Sequence, residues 1–127
     1  MEITPKELEG RKLYRLTYKD EKHNGFQYQD GLNVDTQPFN PSGECEPGGL
    51  YFFCEESLHT FSKYVSRDIT WIREVTLLPD SRVYKMKNKF KTDKFFLGPR
   101  LLLRFFREQS ENFTCSYSTR WVVITYS

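Results

Sequence analysis

The spacing of apolar side chains along the chain predicts a sheet of several strands. Residues 12–18 alternate between apolar or aromatic and polar side chains, which is the period of a half-buried strand in which Leu13 and Tyr14 face opposite ways. Residues 49–54 are continuously apolar and aromatic, as is typical of a central strand covered on both faces. β-branched and aromatic composition predicts further strands at 70–78, 82–84 and 121–126.

Two other segments have the spacing of short helices. Residues 55–64 begin with two acids and a serine, which suit a helix N-terminus, and Leu58, Phe61 and Val65 then form one apolar stripe. Residues 101–108 also carry apolar side chains spaced for one side of a helix. The sequence therefore predicts an α+β fold: a compact, mostly antiparallel β-sheet domain with one or two short helices.

Glycine and proline mark the predicted turns. Asn24 and Gly25 tolerate positive φ and predict a tight turn. Residues 35–49 hold three prolines and three glycines, too many for a regular element, and predict a long loop that Phe39 and Cys45 anchor. Ligand sites often lie on long loops held by a rigid scaffold, so this loop is a candidate binding site. The candidate contact residues for a partner are Phe39, Asn40, Cys45 and the adjoining Tyr51.

The composition indicates one domain without a strong electric field. A length of 127 residues is close to the commonest domain size, so residues 1–127 are predicted to form a single domain. Aromatic residues make up 17% of the chain, which predicts a core built from rings. The net charge of +2 provides little attraction for nucleic acid or an acidic membrane.

The cysteines and the N-terminus predict an intracellular protein. Cys45, Cys54 and Cys115 form an odd set without a C-x-x-C pair, which fits reduced thiols better than disulfides. The N-terminus lacks the apolar core of a signal peptide, and no apolar run reaches the length of a membrane span. Secretion and membrane insertion are therefore not predicted.

Sequence signatures of catalysis and metal binding are absent. His23, His59 and the scattered cysteines lack the spacing of metal ligands, so no metal site is predicted. Phosphate-binding glycine loops, zinc-peptidase motifs and hydrolase nucleophile elbows do not occur.

A lysine stripe leaves two interpretations open. Its members, at every second position, are Lys85, Lys87, Lys89 and Lys91. Next to aromatic rings, such a stripe suits nucleic-acid binding, because lysines contact phosphates while rings stack on bases. A solvated edge strand guarded by lysines has the same pattern.

Several blocks of sequence occur in a fixed order between residues 12 and 100. They are 23–28, 31–35, 38–41, Cys45, 47–52 and 71–77, with Asp93 and Lys94 near the end. Together they resemble an uncharacterised family of giant DNA virus proteins, of mimivirus or marseillevirus type, whose domain is also attached to viral ankyrin-repeat proteins. The resemblance implies a viral protein acting inside an infected host cell, in the cytoplasm, the viral factory or the virion, and it implies no particular activity. An ankyrin-type repeat of about 33 residues does not occur in this chain.

The order of predicted elements is also similar to the ADP-ribosyltransferase fold. That resemblance implies NAD as a ligand, with Arg15 or His23 holding the nicotinamide nucleotide and Tyr51 stacking on its ring. A carboxylate, Glu74 or Glu108, would stabilise the oxocarbenium-like centre. The Ser-Thr-Ser and Glu-x-Glu elements of that superfamily have no counterpart in this sequence.

These patterns favour a non-enzymatic module that binds a host or viral protein through the loop at 35–49. An ADP-ribosyltransferase-like enzyme and a nucleic-acid-binding protein are the alternatives. No cofactor is expected apart from NAD under the enzyme alternative.

Overall fold

A computed structural model of the chain describes residues 1–42, 46–57 and 69–103. The strands in this part of the chain are β1 (Glu2–Ile3), β2 (Leu13–Tyr18), β3 (Lys22–His23), β4 (Phe26–Gln27), β5 (Gly31–Val34), β6 (Leu50–Cys54), β7 (Ile69–Thr76), β8 (Val83–Lys85), β9 (Phe90–Thr92), β10 (Lys94–Leu97) and β11 (Leu101–Leu102). Two 3-10 turns, Pro5–Leu8 and Glu55–Ser57, lie beside them.

One large antiparallel sheet organises these strands. Its order is β1-β8-β9-β6-β2-β7-β10-β5, with β11 beside β7, while β3 and β4 form a separate hairpin. Strand β6 lies in the interior of the sheet and divides its pairing between two neighbours. Residues 50–52 pair with β9, whereas Phe53 and Cys54 pair with β2. The strands β2 and β6 therefore share only a short ladder and then separate.

The predicted α+β class is wrong, because the described chain is an all-β fold. At the start of the predicted helix 55–64, residues Glu55–Ser57 form a 3-10 turn, and the remainder lies outside the described residues. The second predicted helix begins instead as the strand β11, Leu101–Leu102, which pairs with β7. A short apolar run fits either element, and here the ladder with β7 decides the outcome. Residues 104–108 lie outside the described part.

Other elements agree with the sequence pattern. The strands predicted at 12–18 and 49–54 are confirmed as β2 and β6, and β6 is central as expected. The turn predicted at Asn24 and Gly25 is confirmed between β3 and β4, with φ angles of 50° and 80°. The strand predicted at 121–126 falls outside the described residues.

The core lies on both sides of the sheet. The larger cluster consists of Ile3, Leu8, Leu13, Tyr28, Leu50, Phe52, Cys54, Val75, Val83, Phe90, Phe95 and Leu97. Within it, Phe52 stacks on Phe90 with a centroid distance of 5.2 Å, so rings fill much of this core. The smaller cluster consists of Tyr14, Phe53, Ile72 and Leu103. Because side chains alternate along a strand, Leu13 and Tyr14 face opposite ways, as the pattern predicts.

A buried ion pair fixes the turn that follows β2. The Arg73 Nε and Nη2 atoms each donate to a carboxylate oxygen of Glu21 at 2.7 Å, and both side chains are almost fully buried. Thr17 also donates to Glu21 at 2.8 Å, and Arg73 Nη1 donates to Asp30 and to the carbonyl of Gly98. Although burial raises the pKa of Glu21, these hydrogen bonds outweigh it and hold the pKa below its ordinary value. The network sets the position of the β3–β4 hairpin, which begins at the next residue.

We expect Glu21→Gln to lower the free energy of unfolding by about 3 kcal/mol, because Arg73 would be left as a buried charge with only exposed Asp30 as a counter-ion. Urea denaturation measures the change. In the wild-type protein, the contribution of Glu21 is complete above the ordinary carboxyl pKa of 4.5 and is lost as the pH falls through the lowered folded-state pKa.

The matched control is Glu56→Gln, which removes an exposed carboxylate that pairs with Arg11 at 3.2 Å. A solvent-exposed pair contributes less than about 1 kcal/mol. Equal losses in the two variants would show that the Glu21–Arg73 pair has no special importance.

Candidate functional site

Arg15 lies where β2 and β6 separate. Tyr14 is the last residue of β2 that pairs with β6, and the side chain of Arg15 follows it on the inward face of the sheet. Its Nη1 atom donates to the carbonyl oxygen of Tyr51 at 3.0 Å. Its guanidinium carbon lies 4.5 Å from the centroid of the Tyr28 ring. The side chain therefore bridges the opening between the two strands and has a fixed orientation.

The charge of Arg15 has no carboxylate partner among the described residues. Only 7% of the residue is exposed, and burial lowers its pKa, while the phenol groups of Tyr28, Tyr18 and Tyr51 act in the opposite direction. The Nε atom is buried without a hydrogen-bond acceptor in the described part of the chain. A buried cation in these surroundings is costly unless a counter-charge is supplied.

Other basic side chains approach the same place. His23, on β3, packs against the Tyr18 ring with a centroid distance of 5.7 Å. Burial lowers the pKa of His23, and the positive charges of Arg15 and Lys89 lower it further. The Lys89 Nζ atom lies 4.4 Å from the centroid of the Tyr51 ring. We call Arg15, His23, Tyr51 and Lys89 the Arg15 cluster.

Three of the residues that the sequence predicts for partner binding make internal contacts in the described parts of the loop at 35–49. Asn40 makes two hydrogen bonds within the loop. Its backbone N–H donates to the Gly48 carbonyl at 2.8 Å, and its side chain donates to the Glu46 carboxylate. The Tyr51 hydroxyl donates a hydrogen bond to the Glu46 carbonyl at 3.1 Å, and the Phe39 ring packs against the guanidinium of Arg82. Cys45 lies outside the described residues. Phe39, Asn40 and Tyr51 thus serve as internal anchors of the loop.

The lysine stripe does not lie on one face of one strand. Lys85 ends β8 and Lys91 belongs to β9, and a turn closed by Met86 N–H and the Lys89 carbonyl joins the two strands. Lys85 and Lys87 are exposed, whereas Lys91 is fully buried and donates to the Ser42 carbonyl at 3.1 Å. A hairpin therefore replaces the single strand that the spacing suggests. Lys91 acts as a further anchor of the loop.

The residues of the NAD hypothesis are only partly brought together. Arg15, His23 and Tyr51 are neighbours in the Arg15 cluster. Glu74 is the cross-strand partner of Tyr14, so it lies on the opposite face of the sheet from Arg15 and is exposed. Glu108 lies outside the described residues.

Sequence reasoning missed Tyr28 and Lys89 as neighbours of Arg15, because their contacts depend on the tertiary fold. One signal was available in the strand pattern. Leu13 and Val75 face the larger core, and Arg15 shares the face of Leu13 two residues further along β2. A charged residue at a core-facing position breaks the binary pattern of a strand and marks a site that requires an explanation.

An exposed apolar patch lies at one end of the sheet. Leu32 on β5 pairs directly with Phe96 on β10, and Val34 lies two residues from Leu32 on the same face. Their exposed fractions are 41% for Leu32, 44% for Phe96 and 51% for Val34. We call these three residues the β5 patch. No strand within the described residues pairs with the outer side of β5.

The described residues contain neither a helix that could cross a membrane nor a cluster of metal ligands. None of their helical elements has the length and apolar character needed to cross a membrane. They also contain no group of three or more His, Cys, Asp or Glu side chains arranged to hold a metal ion.

Comparison with known proteins places the chain among giant-virus sequences. It is 38% identical over 92 residues to "Putative ankyrin repeat protein R868" of Acanthamoeba polyphaga mimivirus, which covers 71% of this chain and 44% of the relative. It is 34% identical over 84 residues to "Putative ankyrin repeat protein R896" of the same virus, covering 65% of this chain and 24% of the relative. It is 40% identical over 78 residues to "Uncharacterized protein R869", also of that virus, covering 59% of this chain and 54% of the relative.

The predicted resemblance to giant-virus proteins is thereby confirmed: the chain is homologous to mimivirus proteins that are named as ankyrin repeat or uncharacterized proteins. The chain matches between about a quarter and about half of the length of these relatives. No family model matches the chain, and no solved structure matches it.

We expect Gly49→Ala to destabilise the protein by about 1–3 kcal/mol more than Gly10→Ala, as measured by urea denaturation. A Cβ atom at Gly49 would overlap the Lys91 side chain, which is fully buried and donates to the Ser42 carbonyl. Gly10 also has a positive φ, of 81°, but its Cβ would meet no atom within 4 Å. Equal losses would contradict the tight packing of the loop against Lys91.

We expect Arg15→Gln to raise the pKa of His23 towards its ordinary value of 6.5, because the substitution removes a positive charge that faces the imidazole. Lys89→Gln should act in the same direction, and Lys87→Gln, in the exposed turn, should not. Histidine NMR titration measures all three. A His23 pKa that does not respond to Arg15→Gln would show that the two side chains are not neighbours.

Because the folded-state pKa of His23 is lowered, the unfolded chain takes up the proton first. The contribution of His23 to the free energy of unfolding is therefore complete above pH 6.5 and is lost as the pH falls through the folded-state pKa.

Proposed function

We propose that this viral protein is a binding module that receives an extended segment of a partner protein along strand β5. The observation that carries this proposal is the β5 patch, in which exposed apolar side chains lie on an edge strand. Single exposed apolar residues are common on protein surfaces. Here three of them are adjacent across a strand pair, and adjacent exposed apolar residues are a feature of interaction sites.

The backbone of β5 is suited to accept another strand. Asp35 N–H donates to the Asp93 carbonyl at 2.9 Å, so the hydrogen-bonded positions of the β5–β10 ladder are the alternate residues Asn33 and Gly31. The N–H and C=O groups of Leu32 and Val34 consequently point to the open edge. The Leu32 carbonyl accepts a hydrogen bond from the Gln29 side chain, which leaves Val34 as the more open position in the described structure.

The sequence of β5 lacks the usual protection of an edge. Soluble proteins place lysine, proline, bulges or inward charges on edge strands to prevent pairing with other chains. Strand β5 reads Gly31, Leu32, Asn33 and Val34, without any of these devices. Strand addition combines backbone hydrogen bonds with contacts of alternate side chains, and Leu32 and Val34 are placed to make both.

The names of two relatives support a role in binding another protein. Both are named as ankyrin repeat proteins, and repeat proteins of that class present extended concave surfaces for binding. A region that shares a chain with such repeats suits a role in the same binding event. The partner class that fits β5 is a host or viral protein with an extended segment of alternating apolar side chains.

The two alternatives have weaker support. The NAD-dependent reaction would need a carboxylate beside Arg15, and Glu74 lies on the opposite face of the sheet. Binding of a nucleic-acid strand would need a continuous basic track, and Lys85 and Lys91 belong to different strands with Lys91 buried.

The test is quantitative capture of proteins from virus-infected cells by the wild-type chain and by Val34→Lys. A lysine on an exposed edge blocks strand addition while changing the stability by no more than about 0.5 kcal/mol. Asn88→Lys, in the exposed turn between β8 and β9, is the control with the same added charge. We expect specific proteins to be retained by the wild type and by Asn88→Lys and to be lost with Val34→Lys.

Equal capture by all three chains, or no capture above the Val34→Lys background, would overturn the proposal. Size-exclusion chromatography supplies a further criterion. If the wild type forms dimers that Val34→Lys abolishes, the edge would be a contact between two copies of this chain and the proposed partner would be wrong.

A further inference from the structure

We propose that the Arg15 cluster binds the phosphate group of a small phosphorylated ligand, with Arg15 and Lys89 contacting the phosphate at the opening between β2 and β6. This site is separate from the β5 patch, and the inference does not rest on the proposed function.

Two arginines that are direct neighbours differ in how their charges are compensated. Arg15 and Arg73 are cross-strand partners in the β2–β7 ladder, so their Cβ atoms are about 5 Å apart on one face of the sheet. Arg73 is neutralised by Glu21 and Asp30. Like charges in direct register destabilise a sheet, and the second charge, on Arg15, has no described carboxylate to balance it.

Lys91 is the third buried basic side chain of the described residues, and its charge, like that of Arg73, is compensated. Lys91 donates to the Ser42 carbonyl, and the charge of Glu46 acts on it favourably. Arg15 is thus the buried cation in the described part of the chain whose charge is balanced only by tyrosine rings and one carbonyl. An anion bound from solution would neutralise the charge of Arg15.

The guanidinium of Arg15 has a fixed orientation. Its contact with the Tyr51 carbonyl through Nη1 and its position over the Tyr28 ring fix its plane. The buried Nε–H has no acceptor within the described residues, so one donor of the fork is left for a ligand oxygen. Arginine in such a fixed orientation is the preferred side chain for recognising a phosphate.

Other basic side chains lie in the same cluster as Arg15. Lys89 and His23 are both half-buried, so each side chain is partly accessible at the surface. Lys89 lies against the Tyr51 ring, and the charges of Arg15 and Lys89 both act on His23. Two cations that both act on one imidazole suit a compact dianion. They do not suit a nucleic-acid strand, which needs a track of contacts along a groove.

The test is a thermal-shift and calorimetric titration of the full chain with inorganic phosphate and with ribose 5-phosphate, against sodium chloride of matched ionic strength. A ligand that binds only the folded protein raises the unfolding temperature in a saturable way. We expect both phosphates to bind and chloride to have no effect. Tighter binding of ribose 5-phosphate would indicate a phosphate ester as the ligand, and equal affinities would indicate free phosphate; both results support the site.

Arg15→Met should abolish the phosphate-induced shift. Because the substitution removes a buried charge that lacks a carboxylate, it should leave the unfolding temperature without phosphate unchanged or raise it, whereas a purely structural arginine would lower it. Lys89→Met, at a half-exposed position, should weaken phosphate binding about tenfold. Lys87→Met is the matched control in the same turn and should bind as the wild type does.

The proposal is overturned if phosphate gives no saturable shift in the wild type, or if Lys89→Met binds as tightly as Lys87→Met. It is also overturned if Arg15→Met retains the wild-type affinity. Should Arg15→Met fail to fold, the comparison of Lys89→Met with Lys87→Met decides the question. Val34→Lys should bind phosphate normally, which separates this test from that of the β5 patch.

Discussion

The bidentate contact between Glu21 and Arg73 is the interaction on which the arrangement of this face of the sheet depends. It joins the turn after β2 to the middle of β7, and Arg73 extends the network to Asp30 and to the Gly98 carbonyl. The β3–β4 hairpin follows Glu21 directly, so the pair determines where His23 lies. The nearby carboxylates of Glu21 and Asp30 both bind Arg73, so no described carboxylate pairs with the neighbouring Arg15.

The two candidate surfaces arise from two incomplete strand pairings. At the outer side of β5, the described sheet ends in a strand with exposed apolar side chains, and backbone groups remain for another strand. At the other place, β2 and β6 separate after Tyr14, and Arg15 bridges the opening with a hydrogen bond to the Tyr51 carbonyl. Backbone groups in a sheet must be satisfied, so interruptions of a ladder are natural places for side chains or ligands to bind.

The strands that have a clear period could be predicted from the sequence, as could the turn at Asn24 and Gly25. The helix predicted from residue 101 was wrong for its first two residues, because the short apolar segment Leu101–Leu102 fits a strand equally well once β7 offers a partner. Most of the helix predicted at 55–64 lies outside the described residues. The lysine spacing suggested one basic strand, and this prediction was wrong because a turn at Met86–Lys89 places Lys85 and Lys91 on different strands. Arg15, His23 and Tyr51 were nominated for NAD, but their contacts depend on where β2 and β6 separate, and no local pattern encodes that point.

The most direct test of this account is NMR observation of the arginine Nε–H groups of Arg15 and Arg73 with and without phosphate. We expect a slowly exchanging Arg73 signal that phosphate does not change, because its Nε–H donates to Glu21 inside the protein. We expect the Arg15 signal to shift on addition of phosphate, because its Nε–H lacks an acceptor in the described structure. An Arg15 signal that exchanges as slowly as that of Arg73 and ignores phosphate would contradict it, since Arg15 would then have an internal partner.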